Sequence, residues 1–170
     1  MRYYSTAYPV YTSTNTVALE IYLSGCNADP HCNGCHSPHT WDFDKGQDIN
    51  DDDVMRRIVD DIQEKYDKGN IDSICILGGE PLDNDLGDLI VFMQILNHKF
   101  PKLKFWMYTH YDELLVRNKF RDILPYFDYI KVGAFDIDEI DDHLEPDSLT
   151  GVRLATPNQY FIKGERAGEK

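Results

Sequence analysis

The sequence lacks a long hydrophobic run and a surplus of basic residues. Its most apolar stretch, residues 89–93, is far shorter than the ~20 residues of a membrane-spanning helix. Residues 1–10 show no basic segment followed by an apolar one, so no secretory signal is expected. Lysine and arginine number 17 against 30 aspartates and glutamates, a net charge of −13 that repels phosphate backbones and anionic lipids. We therefore predict a cytoplasmic protein that binds neither nucleic acid nor membranes.

Cysteine is scarce as well, and its distribution is not that of a disulfide scaffold. Of the four cysteines, Cys26, Cys32 and Cys35 fall within ten residues. In a reducing compartment, clustered thiols bind metal or carry out redox chemistry more readily than they pair. With 170 residues and 42% hydrophobic content, the chain can build one globular core. We expect a single domain over residues 1–170, with a cysteine loop at 24–46 and an acidic loop at 134–150.

Short apolar stretches alternate with helical patterns along the chain. Strands are predicted at residues 17–23, 73–77, 105–108 and 129–132, and helices between them at about 51–68, 86–100 and 113–120. This order predicts a parallel sheet with right-handed crossovers. A complete eight-stranded barrel needs ~250 residues. The predicted fold class is therefore α/β, either a partial (incomplete) TIM-like barrel or an open parallel sheet with flanking helices.

Three polar segments follow predicted strands: the cysteine loop, the turn Gly78-Gly79-Glu80-Pro81, and Thr109. In parallel sheets, ligands bind at the C-terminal ends of the strands. Two glycines allow close approach of the backbone to a ligand, and the Glu80 carboxylate can accept hydrogen bonds. The sequence therefore predicts a binding site for a small polar ligand at this end of the sheet.

The cysteines form a C-x5-C-x2-C pattern directly after a predicted strand. Thiolates are soft ligands that suit zinc or the iron of iron–sulfur clusters. Cys75 lies inside a predicted strand and is expected to pack as a small apolar residue. Three ligands leave one coordination position open for chemistry, unless His31, His36 or His39 closes a Cys3His zinc site. Spacing alone does not choose between these two sites.

Six short motifs occur in the order typical of one enzyme superfamily. They are Ser24–Cys26, Cys32–Phe43, Leu77–Leu82, Trp106–Thr109, Asp128–Gly133 and Thr156–Gln159. In these segments the chain resembles the radical S-adenosylmethionine (SAM) superfamily, and within it the activating proteins of anaerobic (class III) ribonucleoside-triphosphate reductase. The resemblance covers about residues 15–163. Two departures stand out: the superfamily usually has C-x3-C-x2-C, and His110 stands where these activators commonly carry glycine.

The resemblance implies a cofactor site. Cys26, Cys32 and Cys35 would hold a [4Fe–4S] cluster, with SAM chelating the fourth iron. The implied SAM-binding residues are Gly34, Cys35, His36, Gly78, Gly79, Glu80, Pro81, Thr109 and Lys131. An electron from a donor such as flavodoxin or ferredoxin would cleave SAM, and the resulting 5′-deoxyadenosyl radical would take hydrogen from a glycine of the reductase large subunit. No catalytic side chain is implied, because the cofactors carry the chemistry.

Other functions stay open at this point. The chain could be a pyruvate formate-lyase-type activator, a 7-carboxy-7-deazaguanine synthase-like enzyme, or a zinc-binding module without catalysis. Within the acidic loop, residues 136–147 carry seven acids and no lysine or arginine. Such a run is typical of a solvated loop. The alternative is a docking surface for a basic patch on the reductase.

Overall fold

The computed structural model describes residues 1–166 and contains one mixed sheet. Its strands are β1 (Arg2–Val10), β2 (Ala18–Leu23), β3 (Gln47–Asp48), β4 (Ser73–Gly78), β5 (Lys104–Tyr108), β6 (Tyr129–Val132) and β7 (Tyr160–Lys163). Their order across the sheet is β3-β1-β2-β4-β5-β6-β7. The four central strands β2, β4, β5 and β6 are parallel, whereas β1, β3 and β7 pair antiparallel. The sheet does not close, so the fold is an open α/β sheet.

The four predicted strands are confirmed as the parallel centre of the sheet, and the α/β class is confirmed with them. Strands β1, β3 and β7 extend this sheet with antiparallel pairing, and the sequence did not predict them. Strand β1 contains Pro9, and most of its residues are only half-buried. It therefore lacks the apolar run that reveals a central strand.

Three helices cover one face of the sheet: α1 (Asp52–Asp67), α2 (Leu86–Lys99) and α3 (Glu113–Lys119). Each begins after an aspartate, Asp51, Asp85 or Asp112, whose side chain accepts hydrogen bonds from backbone N–H groups of the first turn. The predicted helices are confirmed at these positions. No helix within residues 1–166 is both long and apolar enough to cross a membrane.

Alternation along β2 separates the two faces of the sheet. Leu19, Ile21 and Leu23 enter the main hydrophobic core under the helices. Glu20 and Tyr22 point to the opposite face and line a cavity. On that face, Cys75, Trp106, Val152 and Phe161 form a smaller apolar cluster beneath it. Cys75 is fully buried there, as predicted.

Candidate metal and cofactor site

A cavity of about 420 Å³ lies where the parallel strands end. The predicted site residues that line it are Cys26, Cys32, Cys35, His36, Gly78, Gly79, Glu80, Thr109 and Lys131. Gly34 and Pro81 are not part of the lining. Pro81 is buried in the short turn Pro81–Asp83, and Gly34 lies against Ile137. The sheet thus gathers most of the predicted site around one cavity.

The cysteine loop is held in place by its own backbone. Gly25 donates a hydrogen bond of 2.7 Å to the Thr40 carbonyl, and Cys26 donates one of 3.0 Å to the Trp41 carbonyl. The Cys35 N–H closes a turn on the Cys32 carbonyl at 3.1 Å. All three cysteines are free thiols and half-buried. Burial raises the pKa of the Cys26 thiol to about 11, so a bound metal would have to displace its proton.

The separation of the cysteine sulfurs bears on the kind of metal they could hold. Four ligands around one zinc ion lie roughly 3.8 Å apart, given a Zn–S distance of about 2.3 Å. Within residues 1–166, the only set of three or more Cys, His, Asp and Glu donor atoms that all lie within 4.8 Å of one another is Cys26, Asp83 and His110. The sulfurs of Cys26, Cys32 and Cys35 are therefore not all within 4.8 Å of one another. In an iron–sulfur cluster each sulfur would bind its own iron, so the three thiols need not meet at one point.

The Gly-Gly turn after β4 packs directly on the start of the cysteine loop. Gly78 has a φ of +120°, and a Cβ there would lie 2.4 Å from the Leu23 carbonyl oxygen. A Cβ on Gly79 would lie 2.1 Å from the Gly25 carbonyl oxygen. The Glu80 N–H donates a 2.6 Å hydrogen bond to that same oxygen. Glycine is required at both positions because no side chain fits between the two loops.

Glu80 is a buried carboxylate, 1% exposed, in the lining of the cavity. Its Oε1 accepts from the Leu82 N–H at 3.1 Å, and its Oε2 accepts from the His110 N–H at 2.8 Å. Burial raises the pKa of Glu80 to about 7, although these hydrogen bonds oppose the shift. The carboxylate is therefore poised to gain from a positively charged ligand group.

Thr109 and Lys131 lie side by side at the ends of β5 and β6. The Thr109 N–H donates to the Lys131 carbonyl at 3.0 Å. Lys131 is 6% exposed, and its ammonium donates to the Gly133 carbonyl at 2.7 Å. Within residues 1–166 it has no carboxylate within 4.0 Å, and burial lowers the pKa of Lys131 to about 8. The cavity thus contains a buried cation without a direct ion pair, and the nearby Glu80 charge partly offsets the effect of burial on the pKa of Lys131.

The cavity lining also includes residues that were not predicted from the sequence. They include Glu20, Tyr22, Tyr108, Phe135 and Arg153. The Tyr22 hydroxyl donates a 2.6 Å hydrogen bond to Glu20, and the His36 ring lies 4.6 Å from the Phe135 ring. A charged residue in the middle of the otherwise apolar β2 is the one sequence signal that could have identified Glu20. Arg153 lies in a segment without a recognisable pattern.

The acidic loop is anchored to the cysteine loop. The Asn33 side-chain amide donates to Asp136 and Asp138, each at 2.9 Å, and the Ile137 N–H donates to the Asn33 carbonyl at 3.1 Å. A Cβ on Gly34 would lie 2.7 Å from Ile137 Cβ. Most residues from 137 to 146 are exposed, as the solvated-loop interpretation expects. The loop therefore presents its charges beside the three cysteines.

Comparison with known protein families first defines a class. The model described as "4Fe-4S single cluster domain" matches residues 15–151, which include the cysteine loop, the Gly-Gly turn and all four parallel strands. The chain therefore contains a domain of the class that carries one iron–sulfur cluster.

Similarity to individual proteins is more specific. Over 127 residues the chain is 30% identical to the anaerobic ribonucleoside-triphosphate reductase-activating protein of Pasteurella multocida, covering 73% of this chain and 77% of that protein. The proteins of the same name from Haemophilus influenzae and Vibrio cholerae are 29% and 24% identical over 126 residues, covering 73% and 74% of this chain and 77% and 78% of those proteins. The chain belongs to the family of anaerobic ribonucleoside-triphosphate reductase-activating proteins.

Proposed function

We propose that this chain is a radical SAM enzyme that activates anaerobic ribonucleoside-triphosphate reductase by forming a glycyl radical on it. The observation that carries the proposal is that three cysteines and the Gly78–Glu80 turn line one cavity at the ends of the parallel strands. The names of the three relatives favour this reductase over the substrates of a pyruvate formate-lyase-type activator or a deazaguanine synthase-like enzyme.

Cys26, Cys32 and Cys35 would hold a [4Fe–4S] cluster. Three thiolates leave one iron without a protein ligand, which is the arrangement of a site that binds a reactant. The match of residues 15–151 to a 4Fe-4S single cluster domain supports this assignment over a mononuclear zinc site.

Glu80 and Lys131 would orient SAM by their opposite charges. Glu80 would accept a hydrogen bond from the amino group of SAM, and the positive charge of that group would keep the buried carboxylate ionised. Lys131 would pair with the ligand carboxylate, which would add a direct ion pair to this buried ammonium. Gly78 and Gly79 would let the ligand approach the backbone, because neither carries a side chain.

The adenosine end of SAM would lie nearer the cysteine loop. The rings of His36 and Phe135 form an aromatic part of the cavity wall on which an adenine can stack. Thr109 is 2% exposed and lines the same cavity, where it would contact the ribose. When bound, the cluster and SAM supply reductive cleavage of SAM and removal of a hydrogen atom from a glycine of the reductase.

The partners would approach from the cysteine-loop side of the molecule. Asn33, Gly34 and His36 are exposed, so an electron donor such as flavodoxin or ferredoxin could reach the cluster region there. The acidic loop lies against the same residues and would attract a basic patch on the large subunit of the reductase.

Anaerobic reconstitution with iron and sulfide, followed by dithionite and SAM, tests the proposed chemistry. We expect a brown protein that releases 5′-deoxyadenosine and methionine. Cys32→Ala should lose both the colour and the products, whereas Cys75→Ala, which changes a buried thiol outside the cavity, should keep them. A colourless wild-type protein that retains one zinc ion would overturn the proposal.

A further inference from the structure

Three possible metal ligands meet at the ends of three neighbouring parallel strands. Cys26 follows β2, Asp83 follows β4, and His110 follows β5. One donor atom from each lies within 4.8 Å of the other two. Only Cys26 belongs to the cysteine motif, so this set is distinct from the proposed cluster ligands.

The Asp83 carboxylate is already held in a fixed orientation. One oxygen accepts a hydrogen bond of 2.6 Å from the Asn27 N–H, and the other accepts one of 2.6 Å from the Tyr111 hydroxyl. Each oxygen keeps a further lone pair for a metal. Hydrogen bonds of this kind orient carboxylate ligands in metal sites.

The His110 imidazole has a buried nitrogen without a hydrogen-bond partner. Its backbone N–H is bound to Glu80, and its ring lies 4.2 Å from the Tyr111 ring, which together fix its position. Within residues 1–166, Nε2 is inaccessible to solvent and makes no hydrogen bond; the nearest carboxylate oxygen, Glu80 Oε2, is 3.6 Å away. Buried polar atoms of native proteins are nearly always paired, so this unpaired nitrogen is available to a further ligand such as a metal ion.

We propose that Cys26, Asp83 and His110 form a mononuclear site for a divalent transition-metal ion in the cluster-free protein. One thiolate, one imidazole and one carboxylate are a mixed set that suits Zn²⁺ or Fe²⁺, and three protein ligands leave a position for water. On binding, the metal replaces the thiol proton of Cys26, which is released to solvent, and no electron is transferred.

This site and the cluster would exclude each other. Cys26 is needed by both, so a bound Zn²⁺ would block cluster assembly, while a bound Fe²⁺ would place the first iron beside the cysteine loop. That consequence rests on the proposed role of Cys26 as a cluster ligand. The metal site itself does not depend on that role, on SAM or on the reductase.

Co²⁺ is the probe, because a thiolate bound to it gives a charge-transfer band in the near ultraviolet. The full chain carrying Cys32→Ala and Cys35→Ala, kept reduced and anaerobic, should bind one Co²⁺ per chain and show this band. In that background, His110→Gly should weaken Co²⁺ binding roughly tenfold or more, since it removes a ligand. Cys26→Ala should abolish the band. Competition with Zn²⁺ and with Fe²⁺ then shows which ion is preferred.

Matched variants separate the site from non-specific binding. His39→Ala removes an exposed imidazole of the cysteine loop and should leave the Co²⁺ affinity unchanged. Circular dichroism checks the fold of each variant, and the single variants Cys32→Ala and Cys35→Ala carry the same test if the double variant does not fold. The proposal is overturned if a folded variant that retains Cys26, Asp83 and His110 takes up no Co²⁺, or if His110→Gly binds it as tightly. Failure of SAM cleavage in the reconstituted wild type would leave this result untouched.

Discussion

The backbone N–H of His110 donates a 2.8 Å hydrogen bond to Oε2 of the buried Glu80 carboxylate, which joins the loop after β5 to the turn after β4. This bond fixes one wall of the cavity before any ligand arrives. It also brings the imidazole of His110 next to Cys26, the first cysteine of the loop after β2. The ends of three adjacent strands therefore form one preorganised site.

The ionisation of Glu80 should make folding stability depend on pH. Its pKa rises from 4.5 in the unfolded chain to about 7 in the folded one, so the folded state holds a proton that the unfolded state has lost in this window. Stability should therefore fall by about 3 kcal/mol as the pH rises through this range. Urea unfolding measures the free energy of unfolding of the wild type and of Glu80→Gln at each pH. The free energy of the wild type relative to Glu80→Gln should fall by this amount as the pH rises. The free energy of the wild type relative to Glu145→Gln, at an exposed site, should not change with pH. A pH-independent difference for Glu80→Gln would contradict the assigned burial of the charge.

Gly79→Ala should separate the Gly-Gly turn from the cysteine loop. The added methyl would lie 2.1 Å from the Gly25 carbonyl oxygen and would break the hydrogen bond from the Glu80 N–H. We expect a loss of roughly 1–3 kcal/mol in the free energy of unfolding, together with loss of SAM binding by the reconstituted protein. Gly87→Ala in α2 is the control, since its added methyl would lie 3.1 Å from the Asp85 carboxylate oxygen, a contact that this side chain can relieve, and we expect a smaller change in stability. Equal free energies of unfolding for Gly79→Ala and Gly87→Ala would show that the Gly-Gly turn can separate from the cysteine loop without loss of stability.

Lys131→Met should weaken the binding of SAM without lowering the stability of the fold. The variant removes a buried ammonium that has no carboxylate within 4.0 Å among residues 1–166, and burial disfavours its charge more than Glu80 favours it, so the free energy of unfolding should not decrease. Binding of SAM to the reconstituted protein should weaken roughly tenfold to a hundredfold, since a charge-assisted hydrogen bond contributes about 1.5–3 kcal/mol. Equilibrium dialysis with SAM measures this loss, and Lys163→Met, at an exposed lysine of β7, should bind as the wild type does. Unchanged affinity of Lys131→Met would remove Lys131 from the SAM site.

Neutralising the outer acidic loop should weaken docking of the reductase. The variant Glu139→Gln, Asp142→Asn and Glu145→Gln leaves Asp136 and Asp138, which hold Asn33, in place. We expect slower association at low salt, with the difference shrinking as salt is added. Surface plasmon resonance against the large subunit measures both rates.

The control for this prediction has the same change in net charge. It carries Asp60→Asn, Glu64→Gln and Asp67→Asn on the exposed side of α1. If both triple variants associate equally slowly, the effect comes from overall charge and the acidic loop is only solvated.

The sequence was sufficient for the central sheet and for much of the cavity lining. The apolar runs ending at Leu23 and Leu77 predict parallel strands, and the motifs that follow them must then lie at one end of the sheet. The edge strand β7 is too short and half-exposed to stand out. The meeting of Cys26 with Asp83 and His110 depends on the register of three strands, which no local pattern contains. The burial of Lys131 without a direct ion pair to any residue of 1–166 likewise appears only when the packing around it is known.

Electron paramagnetic resonance of the reductase tests directly whether this chain forms the glycyl radical. The reconstituted chain is mixed anaerobically with SAM, a reductant and the large subunit of anaerobic ribonucleoside-triphosphate reductase. We predict a glycyl radical signal on the large subunit that requires SAM and disappears with Cys32→Ala. A reconstituted chain that cleaves SAM but leaves the reductase without this signal would contradict its role as the activating enzyme.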